Sequence, residues 1–369
     1  MRRVLFISNI TNHIKAFHLP YLQWFKEQGW EVHVATYGNE EIPYCDIKHN
    51  ISICRSPYRI ANIKAYMQVN SILRKYNFDI IHGHTPVGGV LTRLCGRKHR
   101  ETGTKVIYTA HGFHFYKGAP FVNWLLYYSI EKWLSKYTDA LIVINNEDYV
   151  LAQTKLRAKS IHYVHGVGID IRKFMCPAVS REKKRNEIGI PLDATVLISV
   201  GELSREKNHQ IVIRALSKAS DKNLCYIICG QGKKHNELST LCDDLGVKER
   251  VFMVGYRNDI VDLLHMSDVF VFPSLREGLP VSLVEAMAAG LPCVVSRVRG
   301  NVDLITNGKG GITCSANSEQ EYRKAIDMIP DCISQKDSVK EYNKSVIDQY
   351  DISEVLTQME RIYLESVGE

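Results

Sequence analysis

Apolar positions along the first half of the chain follow two alternating patterns. Short uninterrupted apolar runs are typical of buried strands, whereas apolar residues spaced by three and four are typical of amphipathic helices. Strands are predicted in RRVLFISNI, EVHVATYG, ISICRSP, FDIIHGH, TKVIYTAHGFHF and DALIVINN. Helices are predicted over residues 14–28, in NIKAYMQVNSILRKY, from Pro86 to Arg100 and in PFVNWLLYYSIEKWLSKY. Because helices separate the strands, we expect a parallel sheet with right-handed crossovers.

The same alternation starts again after a charged stretch at residues 172–192. Its strands are ATVLISVGEL, LCYIICG, RVFMVGY, VFVFPS and PCVVS, and its helices cover residues 208–219, 235–245, 258–266 and 281–289, before a helical segment at 338–367. We therefore predict an α/β protein with two Rossmann-like parallel-sheet domains, residues 1–178 and 179–345. A C-terminal helix, residues 346–369, is expected to pack back on the first domain. Ligands of such sheets bind at the carboxyl ends of the strands, so the cleft between the domains is the predicted active site.

Length and composition agree with this organisation. A chain of 369 residues with 45% hydrophobic and 24% charged residues is long enough for two globular domains. It contains no run of about 18 uncharged apolar residues, so no membrane-spanning helix is predicted. The first residues, MRRVLFISNI, have the basic start and apolar run of a signal peptide. Polar residues from Ser8 onward cut that run short, which favours a first strand instead.

Cysteine and histidine usage bears on the compartment and on metals. The ten cysteines form no Cys-x-x-Cys pair, so buried free thiols in a reducing, cytoplasmic compartment are predicted. His82 and His84, and likewise His111 and His114, have spacings that occur among metal ligands. No cluster of cysteines or carboxylates accompanies them, and we therefore predict no metal site.

Charge is distributed unevenly between the two halves. Residues 1–180 carry 23 lysines and arginines against 12 acidic residues, whereas residues 181–369 carry 24 against 28. A basic first half suits an anionic membrane, a phosphate-bearing substrate or nucleic acid. Nucleic acid is disfavoured because the charge is diffuse and no recognition motif accompanies it. Aromatic residues and nearby lysines in helix 120–136 suit a membrane interface, and the same aromatic residues equally suit a packed core.

The segment FPSLREGLPVSLVEAMAAG is the most informative part of the chain. It predicts a strand, a Gly-Leu-Pro turn and a helix whose first N–H groups suit a phosphate. Glu277 precedes this helix and Glu285 lies about one turn inside it, where carboxylates can accept hydrogen bonds from sugar hydroxyls. A capped surface helix with two solvated acids is the alternative. Lys207 follows another predicted strand at the same edge, where a cation meets phosphate, unless it is a solvated loop lysine.

These residues resemble a known family. Glu277-x7-Glu285 within EGLPVSLVEAMAAGLPCVVS resembles the E-x7-E motif of retaining glycosyltransferases of family 4, which have the GT-B fold of two facing Rossmann-like domains. VGELSREKNH, VGYRNDI, TAHGFHF and HGVGIDIRKF resemble further segments of that family in the same order. The opening, HIKAFHLPYLQWFKEQGWEVHVA, is similar to the bacterial branch that makes capsule, exopolysaccharide and O-antigen.

The resemblance implies roles for individual residues. His111 and Glu277 would lie at the transferred sugar as the catalytic pair. Acceptor contacts are expected from Asn12, His13 and His114. The loop that holds Asn12, His13 and His18 departs from the family pattern, so donor contact and a purely structural role are the alternatives for these three residues. Donor contacts are expected from Lys207, Arg205, Gly278, Leu279, Glu285, Tyr256 and Arg257.

Two features depart from the family pattern. Glu202 stands where many relatives have an arginine, and Arg205 is the candidate substitute. The loop SNITNHIKAFH lacks the Gly-Gly pair that many relatives carry after the first strand. Gly230-x-Gly232 is a lone glycine turn and carries little weight by itself.

The implied activity is transfer of a sugar from a nucleotide donor, expected to be UDP-linked, to a lipid-linked saccharide. The expected location is the cytoplasm, peripherally at the inner face of the membrane, through the basic first domain. No Asp-x-Asp motif stands in a suitable loop, so Lys207, the helix N-terminus and backbone donors would balance the leaving-group charge without metal or other cofactor. The alternatives are a nucleotide-sugar 2-epimerase of the same architecture and a non-catalytic partner that binds a sugar nucleotide or glycan.

Overall fold

A computed structural model describes the backbone of residues 1–369 and every side chain except that of Lys336. Its strands follow the predicted alternation closely. In chain order they are β1 Arg3–Ile10, β2 Glu31–Tyr37, β3 Ile47–Asn50, β4 Ile80–His84, β5 Lys105–Ala110, β6 Ala140–Val143, β7 Ser160–Tyr163, β8 Thr195–Val200, β9 Leu224–Cys229, β10 Val251–Gly255, β11 Val269–Phe272, β12 Cys293–Ser296 and β13 Gly311–Cys314.

The helices connect these strands and end the chain. In chain order they are α1 Thr11–Phe17, α2 Leu19–Glu27, α3 Ala61–Lys75, α4 Pro86–Gly96, α5 Phe121–Asn123, α6 Ser129–Ser135, α7 Asn146–Lys155, α8 Arg181–Ile188, α9 His209–Ser217, α10 His235–Asp244, α11 Ile260–Met266, α12 Val281–Ala288, α13 Asn301–Leu304, α14 Glu319–Asp327, α15 Ile329–Ser334, α16 Lys336–Ile347 and α17 Ile352–Val367. A π-helical stretch, Trp124–Tyr128, joins α5 to α6.

The chain forms two compact units. The first comprises Met1–Gly168 and Ser353–Glu369, and the second comprises Ile169–Ile352. The first division therefore falls earlier than the predicted boundary after residue 178. The reason is that Ile169 and Phe174 are buried in the hydrophobic core of the second unit, and the Ile169 N–H donates to the Tyr350 carbonyl at 3.0 Å.

The sheet of the first unit has, within the described residues, seven parallel strands in the order β3-β2-β1-β4-β5-β6-β7. Alternate residues of β1 face opposite sides, as the two-residue period of a strand requires. Val4 and Phe6 pack in a core that includes Met359 and Ile362 of α17, whereas Leu5 and Ile7 pack in a core with α3 and α4. The C-terminal helix is therefore part of the core of the first unit.

The sheet of the second unit has six parallel strands, counted over the same described residues, in the order β10-β9-β8-β11-β12-β13. Val196 and Ile198 of β8 face one core and Leu197 faces the other. Both units are thus parallel sheets covered on both faces, which confirms the predicted fold of two Rossmann-like parallel-sheet domains. Their strands carry the apolar runs seen in the sequence because both faces are buried.

Two local predictions were wrong, and one predicted helical segment is divided in two. The helix expected at 14–28 is split into α1 and α2, because Pro20 supplies no N–H and His18 adopts a non-helical φ of −125° and ψ of 0°. The strand expected in ISICRSP lies earlier, at β3, where Ile47 pairs with His33 of β2. The helical segment expected at 338–367 is two helices, α16 and α17, separated near Asp351.

The aromatic segment at 121–135 combines both of its predicted environments. Trp124, Tyr127 and Tyr128 pack against a core that contains Phe115. Phe121 and Leu125, in contrast, are 78% and 64% exposed. No helix of the described chain is both long and apolar enough to cross a bilayer.

Candidate active site

An ion pair joins two loops at the carboxyl edge of the second sheet. Lys207 follows β8 and Glu277 follows β11, and these two strands are neighbours. The Lys207 Nζ donates to Glu277 Oε1 at 2.7 Å, and it lies 4.6 Å from the centre of the Phe272 ring. The Glu277 side chain is only 10% exposed and that of Lys207 25% exposed. Partial burial strengthens this pairing relative to a surface ion pair.

Backbone contacts hold the Lys207 loop in place. A Cβ at Gly230 would collide with the Gly201 carbonyl, and one at Gly232 would collide with the Leu203 carbonyl. The Leu203 N–H donates to the Gln231 carbonyl at 3.0 Å across this close approach. Gly230-x-Gly232, to which the sequence alone assigned no function, therefore supports the loop that contains Lys207.

Asn208 fixes the end of the same loop. It has a positive φ of 54°, which asparagine tolerates better than most residues. Its side-chain amide donates to the Pro273 carbonyl at 3.2 Å and to the Ala316 carbonyl at 3.0 Å. The Leu275 N–H donates to the Glu206 carbonyl at 2.8 Å. These bonds tie the loops of Lys207 and Glu277 together.

Helix α12 begins beside Glu277, and no side chain caps its N-terminus. Gly278 and Leu279 lie in the turn between Glu277 and the start of α12, and the Leu279 side chain packs against a hydrophobic core of the second unit. The start of this helix can therefore offer N–H groups to an anion. Arg299, a buried residue after β12 that sequence reasoning missed, donates through Nε to the Glu277 carbonyl at 3.1 Å. The sequence feature that could have identified Arg299 is its position as a basic residue shortly after a buried strand, at the same edge as Lys207.

Glu285, the second acid of the motif, lies on α12 and is half-buried. Burial raises the pKa of its carboxyl, and the charge of Lys173 partly offsets this effect. Within the described residues the structure gives its carboxylate no hydrogen bond or ion pair. It is therefore available to accept hydrogen bonds from a ligand hydroxyl.

The two residues predicted to contact the nucleotide base differ in how many protein contacts their side chains make. Tyr256 follows Gly255 and is 71% exposed. Arg257 donates to Asp259 at 2.8 Å and to Glu187 at 2.7 Å, and these two carboxylates hold its pKa above the ordinary value. Its guanidinium thus stabilises the loop, and its predicted ligand contact stays a prediction. Arg205 is exposed and has no ion-pair partner among the described side chains.

In the first unit, four histidines meet at the carboxyl edge of its sheet, and we name His13, His18, His84 and His111 the four-histidine cluster. His13 lies on α1 after β1, His84 ends β4 and His111 follows β5, and these three strands are neighbours. The break between α1 and α2 adds His18. One ring nitrogen of each lies within 4.8 Å of the others.

Burial keeps the four-histidine cluster neutral. It lowers the pKa of His13 to about 4 and that of His111 to about 3, and those of His18 and His84 well below the ordinary value. Neighbouring histidines lower most of these pKa values further because a second positive charge would be repelled. The rings of His13 and His111 are 5.0 Å apart, and those of His18 and His84 are 3.8 Å apart.

Two histidines of the predicted pairs lie outside this cluster. His82 bonds through Nδ1 to the Tyr363 hydroxyl at 2.9 Å and through Nε2 to Thr109 Oγ1 at 2.8 Å. The His114 ring lies 5.0 Å from that of Tyr127, on the segment after β5. Asn12 is exposed on α1. Of the predicted acceptor and catalytic residues in this unit, the structure therefore brings His13 and His111 together and leaves His114 apart.

Comparisons with known proteins agree with this architecture. A family model described as Glycosyl transferase 4-like matches residues 3–145, and one described as Glycosyl transferases group 1 matches residues 180–346. A Bacillus subtilis (strain 168) protein named as glycosyltransferase EpsD is 40% identical over 332 residues, which cover 89% of this chain and 87% of the relative. An Escherichia coli protein named UDP-Gal:alpha-D-GlcNAc-diphosphoundecaprenol alpha-1,3-galactosyltransferase is 29% identical over 86% of this chain and 83% of its own.

Among solved structures, HepE from Anabaena in complex with UDP and glucose matches with a TM-score of 0.80 at 17% identity, covering 99% of this chain and 100% of that chain. A sucrose-phosphate synthase from Thermosynechococcus elongatus matches with a TM-score of 0.79 at 17% identity, covering 99% of each. The fold is therefore that of the GT-B class. The chain belongs to the GT4-type glycosyltransferases, and it is a sugar-transferring enzyme. The predicted family, fold and enzyme class are confirmed.

Proposed function

We propose that this glycosyltransferase moves a sugar from a UDP-linked donor to a lipid-linked saccharide, with retention of the anomeric configuration. The observation that supports donor binding by the second unit is the Lys207–Glu277 ion pair beside the uncapped start of α12. The relative from E. coli is named for a UDP-Gal donor and a diphosphoundecaprenol-linked acceptor, and HepE was solved with UDP and glucose. A Campylobacter jejuni relative, 24% identical, is also named for a diphospho-undecaprenol-linked acceptor. These names support the choice of donor and acceptor class.

On the donor side, the Lys207 ammonium has three hydrogens and can bond Glu277 and a phosphate oxygen at the same time. The first N–H groups of α12, with those of Gly278 and Leu279, would bind the remaining phosphate oxygens. Glu277 and Glu285 would accept hydrogen bonds from sugar and ribose hydroxyls. Tyr256 and Arg257 would flank the base, and Arg205 is a further candidate for the diphosphate.

In the reaction, the acceptor oxygen forms a bond to the anomeric carbon as the bond from that carbon to the β-phosphate oxygen breaks. The acceptor proton passes to the released diphosphate, so atoms and charge balance. Lys207 and backbone donors stabilise the negative charge on the leaving group, and we propose that no metal is required for this step. His111 and His13, as neutral imidazoles, would bond sugar hydroxyls, with Asn12 and His114 as further acceptor contacts.

We further propose that the first unit binds the inner face of the membrane peripherally, where a lipid-linked acceptor would be found. Phe121, Val122, Leu125 and Trp133 expose 78%, 65%, 64% and 44% of their surface on one segment. Lysines at 117, 132 and 136 accompany them, and this combination suits an anionic lipid surface. Replacement of Leu125 and Phe121 by serine should reduce sedimentation with anionic vesicles, whereas Val150→Ser, an exposed apolar control on α7, should not.

The test of the donor assignment is thermal melting of the full chain with UDP, GDP, ADP and CMP, each with and without EDTA. A nucleotide at 100 times its Kd stabilises by about 2.7 kcal/mol, which is a measurable shift. A shift with UDP alone supports the proposal, and a panel of UDP-sugars then identifies the sugar. Stabilisation by another nucleotide would contradict the UDP assignment, and indifference to all four would contradict the donor site.

A further inference from the structure

The four-histidine cluster is built from separate parts of the first unit. His84 ends β4, His111 directly follows β5, His13 lies on α1 after the neighbouring strand β1, and His18 lies at the break between α1 and α2. The Nε2 atoms of His13 and His18 are 3.3 Å apart. Two nitrogens bound to one tetrahedral zinc ion, at bonds of 2.0–2.1 Å, lie about 3.3 Å apart. These two nitrogens now share a hydrogen bond, and their separation equals that of two nitrogens bound to one zinc ion.

Several nitrogens of this cluster are buried without a partner. Both ring nitrogens of His84, Nδ1 of His18 and Nε2 of His111 have no hydrogen-bond partner among the described residues. Buried polar atoms are normally paired, and each unpaired one is unfavourable. In a neutral imidazole only one ring nitrogen has a free lone pair, so a cation would satisfy one nitrogen of each ring; His84 and His111 each offer a buried, unpartnered nitrogen for such a bond.

The donor set also selects the class of metal. The cluster contains four imidazoles and, among the described residues that form it, no carboxylate and no thiolate. Imidazole suits zinc and its transition-metal neighbours, whereas magnesium, calcium and manganese prefer oxygen ligands. A histidine binds a metal ion through the lone pair of a neutral ring nitrogen, and each of the four residues offers one such atom.

We propose that the four-histidine cluster binds one Zn²⁺ ion through one nitrogen of each of His13, His18, His84 and His111. Binding draws the nitrogens together from their present separations of up to 4.8 Å to the tetrahedral spacing. This site is separate from the leaving-group chemistry of the second unit, which stays independent of metal. The sequence argument against a metal looked for cysteines or carboxylates beside each histidine pair, and this site uses neither.

One consequence rests on the proposed function. His13 and His111 are the imidazoles proposed to bond sugar hydroxyls, and zinc would occupy the same nitrogens. Zinc should therefore inhibit sugar transfer, and EDTA should restore it. Inhibition that persists after EDTA, or zinc binding without inhibition, would contradict this competition. Donor binding in the melting test depends on second-unit residues, so its failure is distinguishable from failure of the zinc site.

The direct test is calorimetric titration of the chelator-treated full chain with Zn²⁺ in the absence of substrate. We expect one ion per chain. Loss of even an outer-shell partner weakens metal sites by about 10–100-fold, so His13→Ala and His84→Ala should each weaken binding at least as much. His13 is only half-buried, so His13→Ala is the variant expected to fold. It still tests the proposal if His84→Ala, which removes a fully buried ring, does not fold.

The matched control is His49→Ala, which removes a half-buried histidine paired with His33 elsewhere in the same unit. It should leave zinc binding unchanged. Co²⁺ titration should give the strong visible absorption of a tetrahedral nitrogen site in the unaltered chain and in His49→Ala. Absence of binding by the unaltered chain, or equal binding by all variants, would overturn the proposal.

Discussion

The ammonium of Lys207 lies 2.7 Å from the carboxylate of Glu277, a residue seventy positions further along the chain. The two meet because β8 and β11 are adjacent in the sheet and each ends at the same edge. In the absence of a donor, the two charges balance each other within a partly buried site. In the proposed donor complex, a diphosphate would add negative charge beside Lys207 and a sugar hydroxyl would donate a hydrogen bond to Glu277, so both partners would gain a second contact.

Lys207→Ala should weaken binding of the donor nucleotide. Loss of a charge-assisted hydrogen bond costs about 1.5–3 kcal/mol, which corresponds to a Kd increase of about 10- to 150-fold. Titration calorimetry with the nucleotide selected in the melting test measures this change. Lys218→Ala, which removes an exposed lysine paired with Glu319, is the control and should bind normally. Unchanged affinity in Lys207→Ala would remove its assignment.

Glu277→Gln should lower turnover while the melting temperature stays nearly constant. Glutamine keeps the size of the side chain and one acceptor oxygen, but it loses the charge that strengthens a bond to a sugar hydroxyl. We expect kcat to fall by about tenfold or more, since charge-assisted bonds exceed neutral ones by this order. Steady-state kinetics and thermal melting of the same preparation test this. A parallel loss of activity and stability would instead give the Glu277 side chain a structural role as the partner of Lys207.

EDTA should leave sugar transfer intact. The leaving group is proposed to be balanced by Lys207 and backbone donors, and the proposed zinc site lies in the other unit and inhibits rather than assists. Initial rates with and without EDTA, in metal-depleted buffer, are the measurement. Loss of activity that added Mg²⁺ or Mn²⁺ restores would refute the metal-free step.

Stability should fall as the pH falls below 6.5, in part through His209. Burial lowers the pKa of His209 to about 4, while its ring bonds to the Tyr226 hydroxyl at 3.1 Å. In the unfolded chain its pKa returns to about 6.5, so between these values the unfolded state binds the extra proton. Acid therefore favours unfolding, and at pH 5 this one residue costs about 2 kcal/mol relative to neutral pH.

His209→Gln should accordingly reduce the loss of melting temperature between pH 7.5 and pH 5. About 2 kcal/mol corresponds to about 4–8 °C for a unit of this size. His235→Gln, which replaces an exposed histidine on α10, is the control substitution for this measurement. An identical pH profile in His209→Gln and the unaltered chain would show that His209 is not kept neutral by the fold.

Local patterns predicted the alternation of strands and helices well because both sheets are buried on both faces. A strand with two buried faces is a continuous apolar run, and Val196 to Ile198 illustrate this. The same reasoning failed where a feature other than apolar content decided the outcome. Pro20 interrupts the spacing that suggested a single first helix, and β3 was displaced because its pairing with β2 depends on register rather than on apolar content.

The sequence alone determined the two-domain α/β organisation, because that depends on local apolar periodicity, and the resemblance of several ordered motifs to a known family indicated the family. Only the tertiary structure decided which chemical groups meet. Strand order, which no local pattern encodes, places Lys207 against Glu277 and brings His13, His84 and His111 to one edge. The helix break at His18 adds the fourth imidazole, and burial then keeps all four neutral. Proximity between residues distant in the chain arises from the packing of the whole sheet.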